Sequence, residues 1–401
     1  MGRGRLLLTA AALSCVASFS TVVHASPAYV VFLVDGAPTW SSLTAALPAA
    51  DATLLMDMPS SGAHDSASIA SEMSTGCGGG ARRAVTPAGL PLGAHARAAG
   101  AALGAVSDAC VLDPTSASFF ASAPDRYSFA SVAASIRAFQ LNVSLGGPTR
   151  LLADRNGSCG GGPGCCPSTR AELAAVASSC APGAPVMGLL GSLDAARAAE
   201  CESATLDVTL LDLTSAALAR LRAAVPRVGL FLIVAADRMD HLAHAGDAAG
   251  CAAAEVDVAA SVRATLSVLE PRLRAGDAMV VVTGDHMTPL NGTDHSSESV
   301  PLLLYGAGAR SAAAAALGAE LSASLTVPHV STTAFPRLFS FWGGGPVSCE
   351  PSTFNLDLQR PVEKGSDVKT LDVVLVVVPL AVLVVVVALA VARRSVPGKR
   401  E

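Results

Sequence analysis

Asp285-His286, with His295 nine residues past that histidine, and Asp240 with His244 about forty residues earlier, place three of the chain's eight histidines beside carboxylates. Zinc takes histidine nitrogen and aspartate oxygen in sites of three or four protein ligands, and a catalytic zinc keeps one position open. The residue types therefore point to metal chemistry. Asp240 and His244 stand four apart, so one helical turn puts both on one face. His64, His95 and His329 have no comparable setting and read as ordinary histidines.

A second group is Asp65-Ser66-Ala67-Ser68-Ile69-Ala70-Ser71, running into Thr75-Gly76. Small residues let a substrate approach the backbone. Ser66 would open a helix whose free amides and positive dipole end favour an anion such as phosphate. Read alone, Asp65 or Ser66 is equally a helix N-cap.

Elements must bring these residues together. Tyr29 to Val34, Gly229 to Val234, Ala278 to Thr283 and Pro301 to Tyr305 are short apolar runs that read as strands buried on both faces of a parallel sheet. Helical stretches such as Ser215 to Ala224 and Ala252 to Leu269 separate them, the pattern of an α/β fold with a central, mostly parallel sheet and helices on both faces. Asp35 follows the first run, Asp240 the second and Asp285-His286 the third. Ligands bind at the carboxyl ends of such strands, so these residues are expected on one rim. An aspartate after a strand is also a common loop or N-cap residue, and Asp35 alone fits either reading.

The ends of the chain suggest a compartment. Residues 1–25 read as a secretory signal, with Arg3 and Arg5 before an apolar run and small residues at Val23 and Ala25. Residues 373–392 form an unbroken apolar stretch long enough to span a bilayer, followed in 393–401 by Arg393, Arg394, Lys399 and Arg400. The positive-inside rule then makes 393–401 a cytoplasmic tail and turns 26–366 to the outside or a lumen; the expectation is an extracellular catalytic domain of a single-pass type I plasma-membrane protein, with an internal membrane as the alternative. A lipid anchor near Gly365-Ser366 is the competing reading, disfavoured by the charged tail. The formal net charge of −5 argues against nucleic acid as a partner. Cys159, Cys165, Cys166, Cys180 and Cys201 crowd one Gly/Pro-rich stretch and suggest disulfides, with Cys110, inside an expected strand Ala105 to Leu112, as the buried free thiol. Sequons at Asn142, Asn156 and Asn291 suit a secreted glycoprotein.

Taken in order, the motifs resemble those of the alkaline phosphatases. Asp65-Ser66-Ala67 with Thr75-Gly76 is similar to the family's nucleophile motif, Asp35 to its first aspartate ligand, and Asp240/His244, Asp285-His286 and His295 to its D-x-x-x-H, D-H and final histidine elements. Asp113-Pro114-Thr115 and, eleven residues past Thr115, Arg126 resemble the segment with a third-site threonine and the phosphate-binding arginine; Leu145-Gly146-Gly147 and Val234 to Asp240 extend the likeness. The resemblance implies a phosphomonoesterase with one zinc on Asp240, His244 and His295 and a second on Asp35, Asp285 and His286, beside Ser66. Ser66 would form a phosphoserine, Arg126 would grip the phosphoryl oxygens, and Asp65, Asp113 and His241 would line the substrate site.

Two departures qualify this. The family's third site, usually magnesium, takes an acidic residue where this chain has Ala235, leaving Asp35 and Thr115, with Asp237 two residues out of register. A weak or empty third site is the expectation. Only Met287 to Asp294 separate Asp285-His286 from His295, which opens the site to larger esters and leaves a homodimer without its usual support. The alternatives are a phosphodiesterase of the same superfamily and an inactive phosphate-binding surface protein, the latter favoured by Ala235 and opposed by the intact nucleophile and zinc ligands.

Overall fold

The computed structural model describes residues 27–58, 65–78, 85–86, 88–147, 165–181, 183–188, 190, 206–224, 229–317 and 328–342. All fall in one compact unit, residues 1–355. The expected signal at 1–25 and span at 373–392, with Asn156, Cys159 and Cys201, lie outside the described residues. Among the described residues no helix is long and apolar enough to cross a membrane.

Among the described residues, nine strands make one mixed sheet with helices on both sides. In chain order they are β1 (Ala28–Leu33), β2 (Ala52–Asp57), β3 (Ala102–Ser107), β4 (Val143–Leu145), β5 (Val186–Met187), β6 (Leu230–Ala235), β7 (Ala278–Thr283), β8 (Val300–Tyr305) and β9 (His329–Ser331). Their spatial order is β5-β4-β3-β6-β1-β7-β8-β2-β9. Every residue of β1, β3, β6 and β7 is buried, which is why these strands read as continuous apolar runs. β1 sits between β6 and β7, parallel to both, with Leu33 level with Ala235 and Thr283. The chain therefore leaves three adjacent strands at the same height, and Asp35, Asp240 and Asp285 follow those exits.

Two sequence expectations change. Pro301 to Tyr305 lies in β8, which runs antiparallel to both of its neighbours, β7 and β2. No helix separates β7 from β8, and a parallel return needs a crossover of a dozen or more residues, usually helical. β3 ends at Ser107, so Cys110 lies in the following turn rather than in a strand, and it is disulfide-bonded. Cys251, in a helix, and Cys165, expected in a disulfide, are instead buried free thiols.

Five helices matter for the site: α1 (Ser66–Thr75), α2 (Pro114–Ala117), α3 (Leu210–Ala224), α4 (Arg238–His244) and α5 (Ala248–Ala275). α1 is buried along its whole length, which its Ser/Ala composition permits, and Gly76 ends it in a left-handed conformation. The Phe231 ring of β6 is packed by Phe119, Phe120 and Phe339 at centroid distances of 6.4, 5.9 and 6.0 Å. This cluster ties β6 to the segments on its flank. Phe231→Ala is expected to cost ~3–5 kcal/mol of stability, read from urea denaturation; a change below about 1 kcal/mol would show that the cluster does not hold β6 in place.

Candidate active site

Asp35, two residues past β1, is 3% exposed. It caps no helix: its Oδ2 accepts the Thr115 hydroxyl at 3.0 Å, and its buried Oδ1 has no hydrogen-bond donor. Gly36 makes room for this arrangement. Its φ is +62°, and a Cβ there would lie 2.6 Å from the Asp240 Cβ. Only glycine lets the β1 exit pass so close to α4.

Asp65 occupies the N-cap position of α1 but makes no capping bond with its side chain. Its carboxylate instead pairs with Arg126, whose guanidinium also lies 3.8 Å from Asp113. Burial would lower the Arg126 pKa, but Asp113 and Asp65 outweigh it, so the guanidinium is held firmly charged. Five donors in a planar fork leave several for an anion. Ser66, the first residue of α1, is 2% exposed, with its Oγ 3.0 Å from His286 Nε2.

The histidine rings are oriented by their second nitrogens. His244 Nδ1 donates to Gly292 O at 2.6 Å, which leaves Nε2 to face Asp240 Oδ1 at 3.4 Å and His295 Nε2 at 3.2 Å. Two imidazole nitrogens at that separation need a proton or a cation between them. Thr288 donates to Asp240 and receives His286 Nδ1 at 3.4 Å, so by this network His286 Nε2 is the free nitrogen. It stands 3.3 Å from Asp35 Oδ1 and 3.7 Å from Asp285 Oδ2, and its ring stacks on His295 at 3.7 Å.

Three sets of ligand atoms each lie within 4.8 Å of one another: Asp240, His244 and His295; Asp35, Asp240 and His286; and Asp35, Asp113 and Asp237. The first is the grouping expected from sequence. In the second Asp240 stands where Asp285 was expected; Asp285 is adjacent, with Oδ2 accepting from Thr115 at 3.3 Å and Oδ1 from its neighbouring amide of His286. The third bears on the expectation of a weak or empty site left by Ala235. Ala235 is buried at the end of β6, but Asp237, thought out of register, is fully buried beside Asp35 and Asp113. Ser107 Oγ at the end of β3 holds Asp237 Oδ2 at 2.5 Å, and Asp237 Oδ1 has no donor. The counted spacing from Asp240 missed this because the chain turns between β6 and α4. His241 joins none of the three sets and is half-buried.

Donors are too few for these carboxylates. Thr115 has one hydroxyl hydrogen for Asp35 Oδ2 at 3.0 Å, Asp285 Oδ2 at 3.3 Å and Asp113 Oδ1 at 3.4 Å. A buried charge without partners is costly, and divalent cations meet that need. The orphaned oxygens and bare nitrogens thus fit metal ions.

The ionisation equilibria record the same crowding. Burial, then the neighbouring aspartates, raises Asp35 and Asp237 well above the ordinary range, and burial with the Asp240 charge lifts Asp285 from 3.8 to about 7. The hydrogen bond to Asp240 raises His244 from 6.5 to about 9. Groups raised in the folded state stabilise it at low pH, and that contribution disappears as pH climbs through the folded value. Two groups act oppositely. Burial pushes His286 well below 6.5, and Asp240 is lowered below 3.8 against its burial by bonds from His244 and Thr288, so both give slope only below pH 6.5.

Cation-free protein is therefore expected to lose thermal stability as pH rises from 6.5 to about 9, and zinc or magnesium should flatten that slope. Melting curves with and without chelator test this; identical pH profiles would refute it.

Residues 168–319 match the family described as alkaline phosphatase, a span that holds Asp240, His244, Asp285, His286 and His295. Among solved structures, the alkaline phosphatase of the Antarctic bacterium TAB5 has a TM-score of 0.60 at 17% identity, covering 79% of this chain and 99% of that one. The Thermus thermophilus alkaline phosphatase gives 0.59 at 18%, covering 80% and 92%. A cold-active alkaline phosphatase from the psychrophile Shewanella sp. gives 0.52 at 20%, covering 65% and 68%. No curated protein matches the sequence. The family match is thus confined to residues 168–319, and over the rest of the chain the likeness to those enzymes is one of fold.

Proposed function

We propose that the protein is a metal-dependent phosphomonoesterase in which Ser66 is the nucleophile. The observation that carries this reading is the Ser66 hydroxyl, at the N-terminus of buried α1, 3.0 Å from His286 Nε2 and beside the Asp65–Arg126 pair. A hydroxyl so placed faces an anion that the helix amides and Arg126 attract together. Arg126, backed by Asp65 and Asp113, binds two non-bridging phosphoryl oxygens and orients phosphorus toward Ser66 Oγ. Ser66 Oγ bonds to phosphorus as the ester P–O bond breaks, the serine proton ends on the departing alcohol, and water then cleaves the phosphoserine to free Ser66 and phosphate.

Zinc fits the imidazole and carboxylate donors of Asp240, His244 and His295 and of Asp35, His286 and Asp285, and when bound supplies the Lewis acidity that acidifies the hydroxyl and offsets phosphoryl charge. The all-oxygen set of Asp35, Asp113, Asp237 and Thr115 suits a harder ion such as magnesium. A variant of the similar Antarctic enzyme is described with Mg bound in a site named M3. His241 remains a candidate for tuning substrate binding. We place the protein, on its sequence, in the plasma membrane as a single-pass type I chain with residues 26–366 outside.

Purified full-length protein is expected to hydrolyse a chromogenic phosphomonoester in preference to a phosphodiester and to lose turnover with chelator. Ser66→Ala should reduce kcat by at least about 10³-fold, the scale of losing a nucleophile, while retaining its metal. A metal-loaded wild type without turnover would leave the inactive phosphate-binding reading; a preference for the diester would reassign the substrate.

For the third set, wild type should carry one more divalent ion than Asp237→Asn, measured by elemental analysis. Equal content in the two proteins would return the site to the weakened state expected from Ala235.

A further inference from the structure

The eight residues from Met287 to Asp294 do more than link Asp285-His286 to His295. Gly292 N donates to Pro289 O at 2.7 Å, closing a tight turn with Asn291 at φ +59°. The turn is fastened to α4 at two points: Asn291 N donates to Ala243 O at 2.9 Å, and Gly292 O receives His244 Nδ1 at 2.6 Å. Ala243 O also accepts Gly246 N at 3.0 Å, so one carbonyl joins the end of the helix to the turn.

Gly246 is the counterpart of Asn291. Its φ is +70°, and a Cβ there would overlap the Asn291 Oδ1 and lie 2.7 Å from its Cγ and 3.1 Å from its Nδ2. The Asn291 amide thus fills the space that any side chain at 246 would need. Asparagine is among the few residues other than glycine that visit the left-handed region readily, so this one residue supplies both the turn geometry and the packing group.

We propose that Asn291 is a positioning residue: its amide, seated on Gly246, locks the Pro289–Gly292 turn so that Gly292 O fixes the His244 ring and turns its Nε2 toward Asp240 and His295. The inference rests on the reading of those three residues as metal ligands. A backbone carbonyl on the second nitrogen of a ligating histidine sets its tautomer and raises its basicity, and losing such a partner typically costs about 10–100-fold in metal affinity. The lock gives a short surface loop the rigidity that a ligand needs.

Zinc affinity of the full-length protein, measured by competition with a chromophoric chelator, tests the lock in wild type, Asn291→Gly, Gly246→Ala and the double variant, with His244→Ala as control. Gly246→Ala should weaken zinc binding about 10-fold or more, the range for a lost partner of a ligating histidine. Asn291→Gly keeps the left-handed backbone but lacks the amide, and should weaken it less. The double variant removes the amide with which the new methyl group at position 246 collides, so its affinity should return to that of Asn291→Gly. Melting temperatures measured without metal separate fold from site. Variants that melt lower yet bind zinc like wild type would overturn the proposal, as would a double variant no better than Gly246→Ala. If Gly246→Ala does not fold, Asn291→Gly decides alone, and an unchanged affinity refutes the lock. A wild type that binds no zinc, or that His244→Ala matches, removes the ligand reading and the proposal with it.

Discussion

Five buried carboxylates at one edge of a sheet set the terms for the rest of this molecule. Asp35, Asp113, Asp237, Asp240 and Asp285 are each less than a tenth exposed. Like charges in a space of low polarity repel strongly, and either protons or cations must neutralise them. The surrounding chain meets only part of this: Arg126 lies beside Asp113 and Thr288 donates to Asp240, but Thr115 divides one hydrogen among three oxygens, and Asp35 Oδ1 and Asp237 Oδ1 have no donor. The rigid, doubly buried strands β6, β1 and β7 hold the edge in place against that repulsion.

Much of the site could be read before the fold was known, for identifiable reasons. Asp240 and His244 were legible because helical spacing alone brings them together, and Asp35 and Asp285 because an aspartate after an all-apolar strand falls on the ligand-binding edge. Asp237 was not legible. Its place depends on how the chain turns from β6 into α4 and on Ser107 reaching it from β3, which are contacts between distant segments. Counting from Asp240 located the missing acid at Ala235 and stopped there. The partnership of Asp240 with both histidine sets was equally out of reach, because a spacing says which residues share a face and not which oxygen lies between two neighbours.

The fold was legible where burial is continuous and obscure where it alternates. β1, β6 and β7 announced themselves as apolar runs, whereas β2 shows only Leu54 and Met56 to the core among its six residues. Direction was misread for β8, since composition reports burial and not polarity of the strand; the missing crossover helix before it carried that information. The same short return explains why the segment after His286 stays close to α4 and can fasten onto it.

Asp240 has a place in two of the three ligand sets, contributing to the pair of imidazoles on one side and to Asp35 and His286 on the other. A carboxylate held in common cannot be oriented for one side without being oriented for the other. Filling either position therefore arrests the shared side chain and lowers the entropy still to be lost at its neighbour. A cation on one side would thus fix the carboxylate that is presented to the other.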